Sequence, residues 1–445
     1  MARSLTLALR LDRSADPSLS SQVAGQIRDG VVAGTLPVGG RLPSSRALAR
    51  DLGVSRAVTE QAFDQLAAEG WVEGRHGSGT FVAAGAVARR RRRPARVTAT
   101  EPVLHSLDTG TPWIDPRHRA AWRRAWRDVS AAPAPSSYDD PAGVRDLRVE
   151  LAARLALIRG LPCDPDEILV TTGTIGGLTQ LLAALPPGDI ALEDPGYRAA
   201  AEAVLASGRA VRDVPATEPV TDLTGTAGAY VTPAHQHPLG PVMPGSDRLS
   251  LIDAAARAGS VVVEDDYDSE FRYDVAPVPA LAALDRDRVA YLGTTSKSVA
   301  PSMRLGWMVA PGPLHRAILA RRAVTHDVPS WPVQRAFLSL LRDGYVDQVV
   351  RSARRTYAAR AARVTDALRP LAQPTLPVAG MYVTVPMPQS RALRARAEAR
   401  RAGFDVPLLS DYCRTARRSG LIIGFGGCTD DELDRALAAI VTALA

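Results

Sequence analysis

The chain carries 54 lysine and arginine residues, and Lys297 is the only lysine among them. An arginine guanidinium stays protonated, whereas a lysine amine can lose its proton on burial and condense with a carbonyl. Lys297 lies in Tyr291-Leu-Gly-Thr-Thr-Ser-Lys-Ser298, an apolar run entering a hydroxyl-rich turn, with Arg304 seven residues on. That setting suits an aldehyde with a phosphate tail. Two other apolar runs end in unusual polar groups. Ile168–Thr171 is followed by Thr172-Gly173-Thr174, which presents backbone N–H groups and a hydroxyl at a predicted helix start, an arrangement suited to phosphate. Val261–Val263 is followed by Glu264-Asp265-Asp266-Tyr267-Asp268. Acids directly after a buried strand are costly unless a cation or cofactor compensates. For Glu264, Asp266 and Asp268, the expectation is helix capping or a solvated face.

The elements that must position these groups follow from periodicity. Strands are predicted at Ile168–Thr171, Ile190–Leu192, Ala229–Val231, Val261–Val263, Val289–Leu292 and Leu305–Val309, with amphipathic helices between most of them. That alternation indicates an α/β domain with a mainly parallel sheet, whose ligands bind at strand carboxyl ends. From about Val328 a long helix pair and a small α+β subdomain follow. Ahead of this domain, Leu19–Val32 has helical spacing at Val23, Ile27 and Val31. Ser44 is expected to cap a second helix, ended by Gly53, and Ser55 a third. Two short strands around a glycine-rich turn complete the order of a winged helix-turn-helix. The predicted division is 1–83 for this unit, 84–103 for a linker with Arg89–Arg93, and 104–445 for the α/β domain. Five like charges in a row resist packing.

Composition excludes little. The formal charge of +7 and pI near 9.6 are compatible with nucleic acid as a partner. No apolar run reaches 18 residues, so no membrane span is expected, and the apolar stretch at the N-terminus is too short for a signal peptide. Cys163, Cys413 and Cys428 show neither metal nor disulfide spacing, which fits a cytoplasmic protein without a metal site.

Four motifs in order, Glu193-Asp-Pro-Gly-Tyr197, Thr232-Pro-Ala-His-Gln-His-Pro-Leu-Gly240, Glu264 to Phe271, and Leu292 to Ser298, resemble the MocR-type regulators of the GntR superfamily. Their large domain is a fold-type I aminotransferase-like domain that binds pyridoxal 5′-phosphate (PLP). The resemblance implies an internal aldimine at Lys297. It implies Asp265 on the pyridine nitrogen, Tyr267 on the ring hydroxyl, Arg304 on the phosphate, and Tyr197 stacked on the ring. Gly173, Thr174, Thr294 and Ser296 would complete the phosphate cup. His235, Gln236 and His237 are expected to face the cofactor region.

The winged helix segment Arg41 to Arg56 resembles the GntR motif. It implies duplex operator contacts from Arg46, Ser55, Arg56 and Thr59, and from His76 and Gly77 at the wing tip. Glu60 sits where an acid must read a cytosine amine or point away from phosphate. Two departures stand out. Ile175 replaces a glutamine in the phosphate cup, and Ile422 occupies the position of the arginine that clamps a substrate carboxylate. Arg198 or Arg418 is the candidate substitute, Arg198 being the effector-binding candidate. The resemblance therefore implies a domain-swapped homodimeric regulator that senses PLP, an amine or an amino acid. The alternative is an active PLP-dependent aminotransferase with an accessory DNA-binding domain. Loss of the carboxylate arginine argues for sensing over turnover.

Overall fold

The computed structural model describes residues 5, 7–14, 16–75, 78–83, 104–138, 140–273, 278–376 and 378–445. It divides into two compact units, residues 1–100 and 101–445. The predicted linker 84–103 lies outside the described residues.

In the first unit, helices α1 (Leu19–Val32), α2 (Ser45–Leu52) and α3 (Arg56–Ala68) precede an antiparallel hairpin, β1 (Val72–Arg75) and β2 (Gly79–Val82). Val23, Ile27 and Val31 from α1 meet Leu48, Ala62, Phe63 and Leu66 in one core closed by Val72 and Val82. The Ser44 hydroxyl accepts from the Ala47 N–H at 3.2 Å, and Gly53 ends α2 at φ 62°, a left-handed conformation natural to glycine. Ser55 precedes α3 without a side-chain capping bond, contrary to expectation. Leu5, Leu7, Leu9 and Leu11 also pack on this core. Their two-residue spacing is the signature of an extended segment. It is pinned by the Gln26 side chain, which bonds both the N–H (2.9 Å) and the carbonyl (2.6 Å) of Arg10.

The second unit is built on a seven-stranded sheet: β3 (Ile168–Thr171), β4 (Asp189–Asp194), β5 (Val211–Pro215), β6 (Thr226–Val231), β7 (Val261–Asp266), β8 (Val289–Thr294) and β9 (Gly306–Val309). The order is β3-β9-β8-β7-β6-β4-β5. Only β9 runs antiparallel to its neighbours. Central strands such as β6 are buried along their full length, as a sheet covered on both faces requires. Apolar clusters lie against each face, one gathering Val170, Ala229, Val262 and Tyr291, the other Leu169, Tyr230, Val263 and Leu292. The strand β5 was not expected. It is an edge strand carrying Arg212, Asp213 and Pro215, which a sheet tolerates only at its border. Tyr382–Pro386 and Gly420–Gly424 pair antiparallel in a small second sheet.

Candidate functional site

The carboxyl ends of β3, β6, β7 and β8 open on one cavity of about 240 Å³. Lys297, Asp265, Tyr267, Arg304, Tyr197, Thr174, Thr294 and Ser296 all line it. Lys297 follows β8, and its Nζ donates to the Gly110 carbonyl at 2.6 Å. Burial holds the amine below the ordinary lysine range, opposed by the Asp268, Asp108 and Asp265 carboxylates. Asp265 lies near the end of β7. One of its oxygens accepts from the Tyr230 hydroxyl, while Oδ1 is buried with no partner. Burial pushes this carboxyl up to about 7, against the Tyr230 bond and the Lys297 charge.

Arg304 adopts φ 49°, an uncommon conformation for a residue with a side chain. Its guanidinium donates to the Thr172 carbonyl at 3.2 Å and lies 3.5 Å from where a Cβ on Gly173 would stand. Gly173 itself has φ 89° and opens the helix Thr174–Ala184, so its backbone leaves room beside the cation at a helix start. The Thr294 and Ser296 hydroxyls are 2.9 Å apart. Tyr197 meets His237 edge-on at 5.7 Å between ring centroids. The Tyr267 hydroxyl is held among the Tyr382 hydroxyl (2.9 Å), the His235 carbonyl (3.0 Å) and His235 Nδ1 (3.1 Å).

The His235-Gln236-His237 run divides. His237 lines the cavity, and burial with the nearby Lys297 charge pushes it down to about 3, so the ring is neutral. His235 sits behind it, with Nδ1 2.7 Å from Asp268. Gln236 is buried and donates to the Pro195 carbonyl at 3.1 Å. The acidic run is not solvated. Glu264 accepts from the N–H groups of Leu281 (2.8 Å) and Ala282 (2.9 Å), and Asp266 lies 2.6 Å from Arg159 and from the Tyr291 hydroxyl. The solvated-face half of the expectation is corrected, since all three acids are buried, while Glu264 does cap a helix, accepting the first two N–H groups of the 3-10 helix Leu281–Ala283.

Thr109, Gly110, Thr232, His237 and Pro301 also line the cavity, and of these Thr109, Gly110 and Pro301 lie outside the four motifs. Ile175 lines it too, an apolar wall where the resemblance has an amide. Ile422 is fully buried opposite Thr384 in the small sheet and is not part of the lining. Arg198 is exposed and absent from the lining, and Arg418 borders a different cavity with Leu239 and Met387. The lining therefore offers two cations, Lys297 and Arg304, among the described residues. The residues fit PLP: an unpartnered buried carboxylate oxygen for a pyridinium, an amine for an aldehyde, and a guanidinium beside a glycine cradle for a phosphate.

In the winged unit, Arg46 and Ser55 are exposed. Arg56 is paired with Glu60 at 2.7 Å, both side chains about half exposed. Thr59 is a correction. It is fully buried, and its hydroxyl donates to the Ser45 (2.9 Å) and Arg56 (3.0 Å) carbonyls, joining α2 to α3 and leaving nothing for phosphate. His76 and Gly77 lie outside the described residues.

Comparison with known proteins agrees with both units. Residues 19–82 match the family of bacterial regulatory proteins, gntR family, and residues 107–440 match aminotransferase class I and II. The chain is 34% identical over 454 residues to the HTH-type pyridoxine biosynthesis transcriptional regulator PdxR of Corynebacterium glutamicum, covering 98% of each. It is 33% identical to the probable rhizopine catabolism regulatory protein MocR of Rhizobium meliloti, covering 79% of this chain and 77% of that one. In structure it resembles an archaeal alanine:glyoxylate aminotransferase, with a TM-score of 0.69 at 24% identity, covering 77% of this chain and 90% of that one.

Proposed function

This chain belongs to the MocR-type branch of the GntR regulators, a winged helix joined to a class I and II aminotransferase domain, and we propose that it regulates transcription by sensing PLP or a PLP-reactive amine at Lys297. The observation that carries the reading is the convergence of Lys297, the unpartnered Oδ1 of Asp265 and Arg304 in one cavity. When bound, the cofactor supplies an electrophilic aldehyde and an electron-withdrawing ring. The chain's own residues do the rest. Lys297 would provide the nucleophile, Asp265 would pair with the ring nitrogen and keep it protonated, and Arg304 with Gly173, Thr174, Thr294 and Ser296 would hold the phosphate. Tyr197 covers the ring.

The cavity favours a ligand whose anion is a phosphate. Lys297 and Arg304 are the cations among its described lining residues, Ile422 is packed away, and Arg198 stands outside. That pattern supports PLP itself over an amino acid as the effector. The naming of the Corynebacterium relative for pyridoxine biosynthesis agrees. Arg46, Ser55 and Arg56 would face a duplex operator from an intracellular homodimer.

The test adds PLP to the purified chain and follows visible absorbance together with affinity for a duplex selected from a random pool. A band that Lys297→Ala abolishes, with a change in DNA affinity at the same PLP concentrations, is expected. Sustained keto-acid production over an amino-acid panel would instead establish the aminotransferase alternative.

A further inference from the structure

The segment that opens the large unit passes directly beside Lys297, yet it belongs to none of the four motifs. His105–Ser106 pairs in parallel with Phe404–Asp405, Leu107 is buried, and the Leu107 carbonyl accepts from the Gly424 N–H at 2.8 Å. These contacts carry the next residues to the cavity, which Thr109 and Gly110 line. Asp108 folds the chain there. Its Oδ1 accepts from the N–H groups of Gly110 (2.6 Å) and Thr111 (2.8 Å), and its Oδ2 from the Ser106 (2.9 Å) and Thr111 (3.2 Å) hydroxyls. An aspartate that bonds the backbone two and three residues ahead fixes a turn. The turn sits so close to Gly424 that a Cβ there would stand 1.8 Å from the Asp108 carbonyl oxygen. With the turn fixed, the Gly110 carbonyl takes the Lys297 Nζ at 2.6 Å.

We propose that Asp108 is the positioning residue for Lys297: it builds the turn whose Gly110 carbonyl holds the reactive amine in the cavity. The inference rests on the reading that Lys297 condenses with an aldehyde. In that step the ammonium gives one proton to solvent and the nitrogen bonds the carbonyl carbon. The carbonyl oxygen then leaves as water with the nitrogen's two remaining hydrogens. Before the step the nitrogen has hydrogens to donate, and the Gly110 carbonyl takes one. After it the nitrogen has none for that carbonyl. The turn therefore steadies the nucleophile and then loses its contact, so it registers whether Lys297 is loaded. The charges that bear on the amine are Asp108 on this turn, Asp265 near the end of β7 and Asp268 just after it, and the cavity around it also holds neutral His237 from the loop after β6 and Arg304 before β9. Removing the Asp108 charge makes the amine easier to deprotonate.

The test uses the full ligand-free chain and PLP, with stopped-flow visible absorbance across a pH series. Asp108→Asn keeps an acceptor for the Gly110 and Thr111 N–H groups and removes the charge. Asp108→Ala removes both. The asparagine variant is expected to load at about the wild-type rate at high pH, within twofold, with its midpoint displaced to lower pH. The alanine variant is expected to share the lowered midpoint and to load about tenfold more slowly at high pH, because the nitrogen is no longer held. Wild-type rate and midpoint in both variants, with only a lower melting temperature, would overturn the proposal and leave Asp108 a structural residue. A wild-type chain that never develops the band would overturn the cofactor reading itself, and this inference with it.

Discussion

Asp265 is a carboxyl whose burial conflicts with its charge, so Asp265→Asn should stabilise the ligand-free large unit while weakening its hold on PLP. Burial raises the Asp265 pKa from the ordinary aspartate value of 3.8 to about 7, the Asp266 and Asp268 charges adding to the rise and the Tyr230 bond opposing it. Between about pH 4 and 7 the folded chain therefore holds a proton that the unfolded chain has released, and stability falls as pH rises through that window. Each tenfold change in proton affinity corresponds to about 1.4 kcal/mol, so this rise sets a ceiling of about 4 kcal/mol by pH 8. An asparagine keeps an acceptor for the Tyr230 hydroxyl and carries no charge. The expected gain at pH 8 is about 2–4 kcal/mol, shrinking as pH falls and reaching zero only below about pH 4. Urea unfolding followed by tryptophan fluorescence reads the large unit, since five of the six tryptophans lie beyond residue 104. The same variant should lose PLP at least tenfold more readily in a dilution assay. A variant no more stable than wild type at pH 8, or wild-type stability that rises from pH 5 to 8, would refute the reasoning.

In the winged unit, Thr59→Val should lower stability by about 1–2 kcal/mol by leaving the Ser45 carbonyl without its buried donor, and operator affinity per folded molecule should stay within twofold. Glu60→Gln should tighten duplex binding a few-fold in a gel shift by freeing Arg56 and removing an acid near phosphate. Arg56→Ala should weaken it by about 1–3 kcal/mol, and the Glu60 effect should shrink in the double variant to the part that comes from removing the acid. Arg159→Leu should cost the large unit about 3–5 kcal/mol, because it strands Asp266 as a buried charge, and the urea midpoint reads this directly.

What was legible in the sequence is what local pattern encodes. The first helix spans the predicted Leu19–Val32 because its apolar residues recur at helical spacing. The strand ends bearing Thr172, Asp265 and Lys297 stood out as polar groups following apolar runs. What was not legible depends on partners far away in the chain. Thr59 has the hydroxyl a phosphate contact needs, but that hydroxyl donates to the Ser45 carbonyl inside the fold. Asp266 looked like a solvated acid, but its counter-ion Arg159 lies in a helix more than a hundred residues earlier. Gly110 carries no side-chain signal at all, and it meets Lys297 across 187 residues. The leucines at positions 5, 7, 9 and 11 do show period-two spacing, the pattern of the extended segment they form. The edge strand β5 was hidden by its own charges.

The electrostatics also bear on sensing against turnover. Glu193 and Glu264, like Asp265, are pushed up to about 7 by burial, so the ligand-free unit keeps several carboxyls poised between charged and neutral near physiological pH. A pyridinium partner for Asp265 Oδ1 removes part of that cost in the bound state alone. A ligand shifts a conformational equilibrium only by its differential interaction with the two states. If the two states of this unit differ in how Asp265 is buried, the ceiling of about 4 kcal/mol corresponds to about a thousandfold shift, ample for a switch. Turnover asks for something else, namely contacts that strengthen on the substrate as it reacts. The residue expected to clamp a substrate carboxylate is Ile422, sealed in the small sheet against Thr384, where it can stabilise the fold but cannot hold an anion.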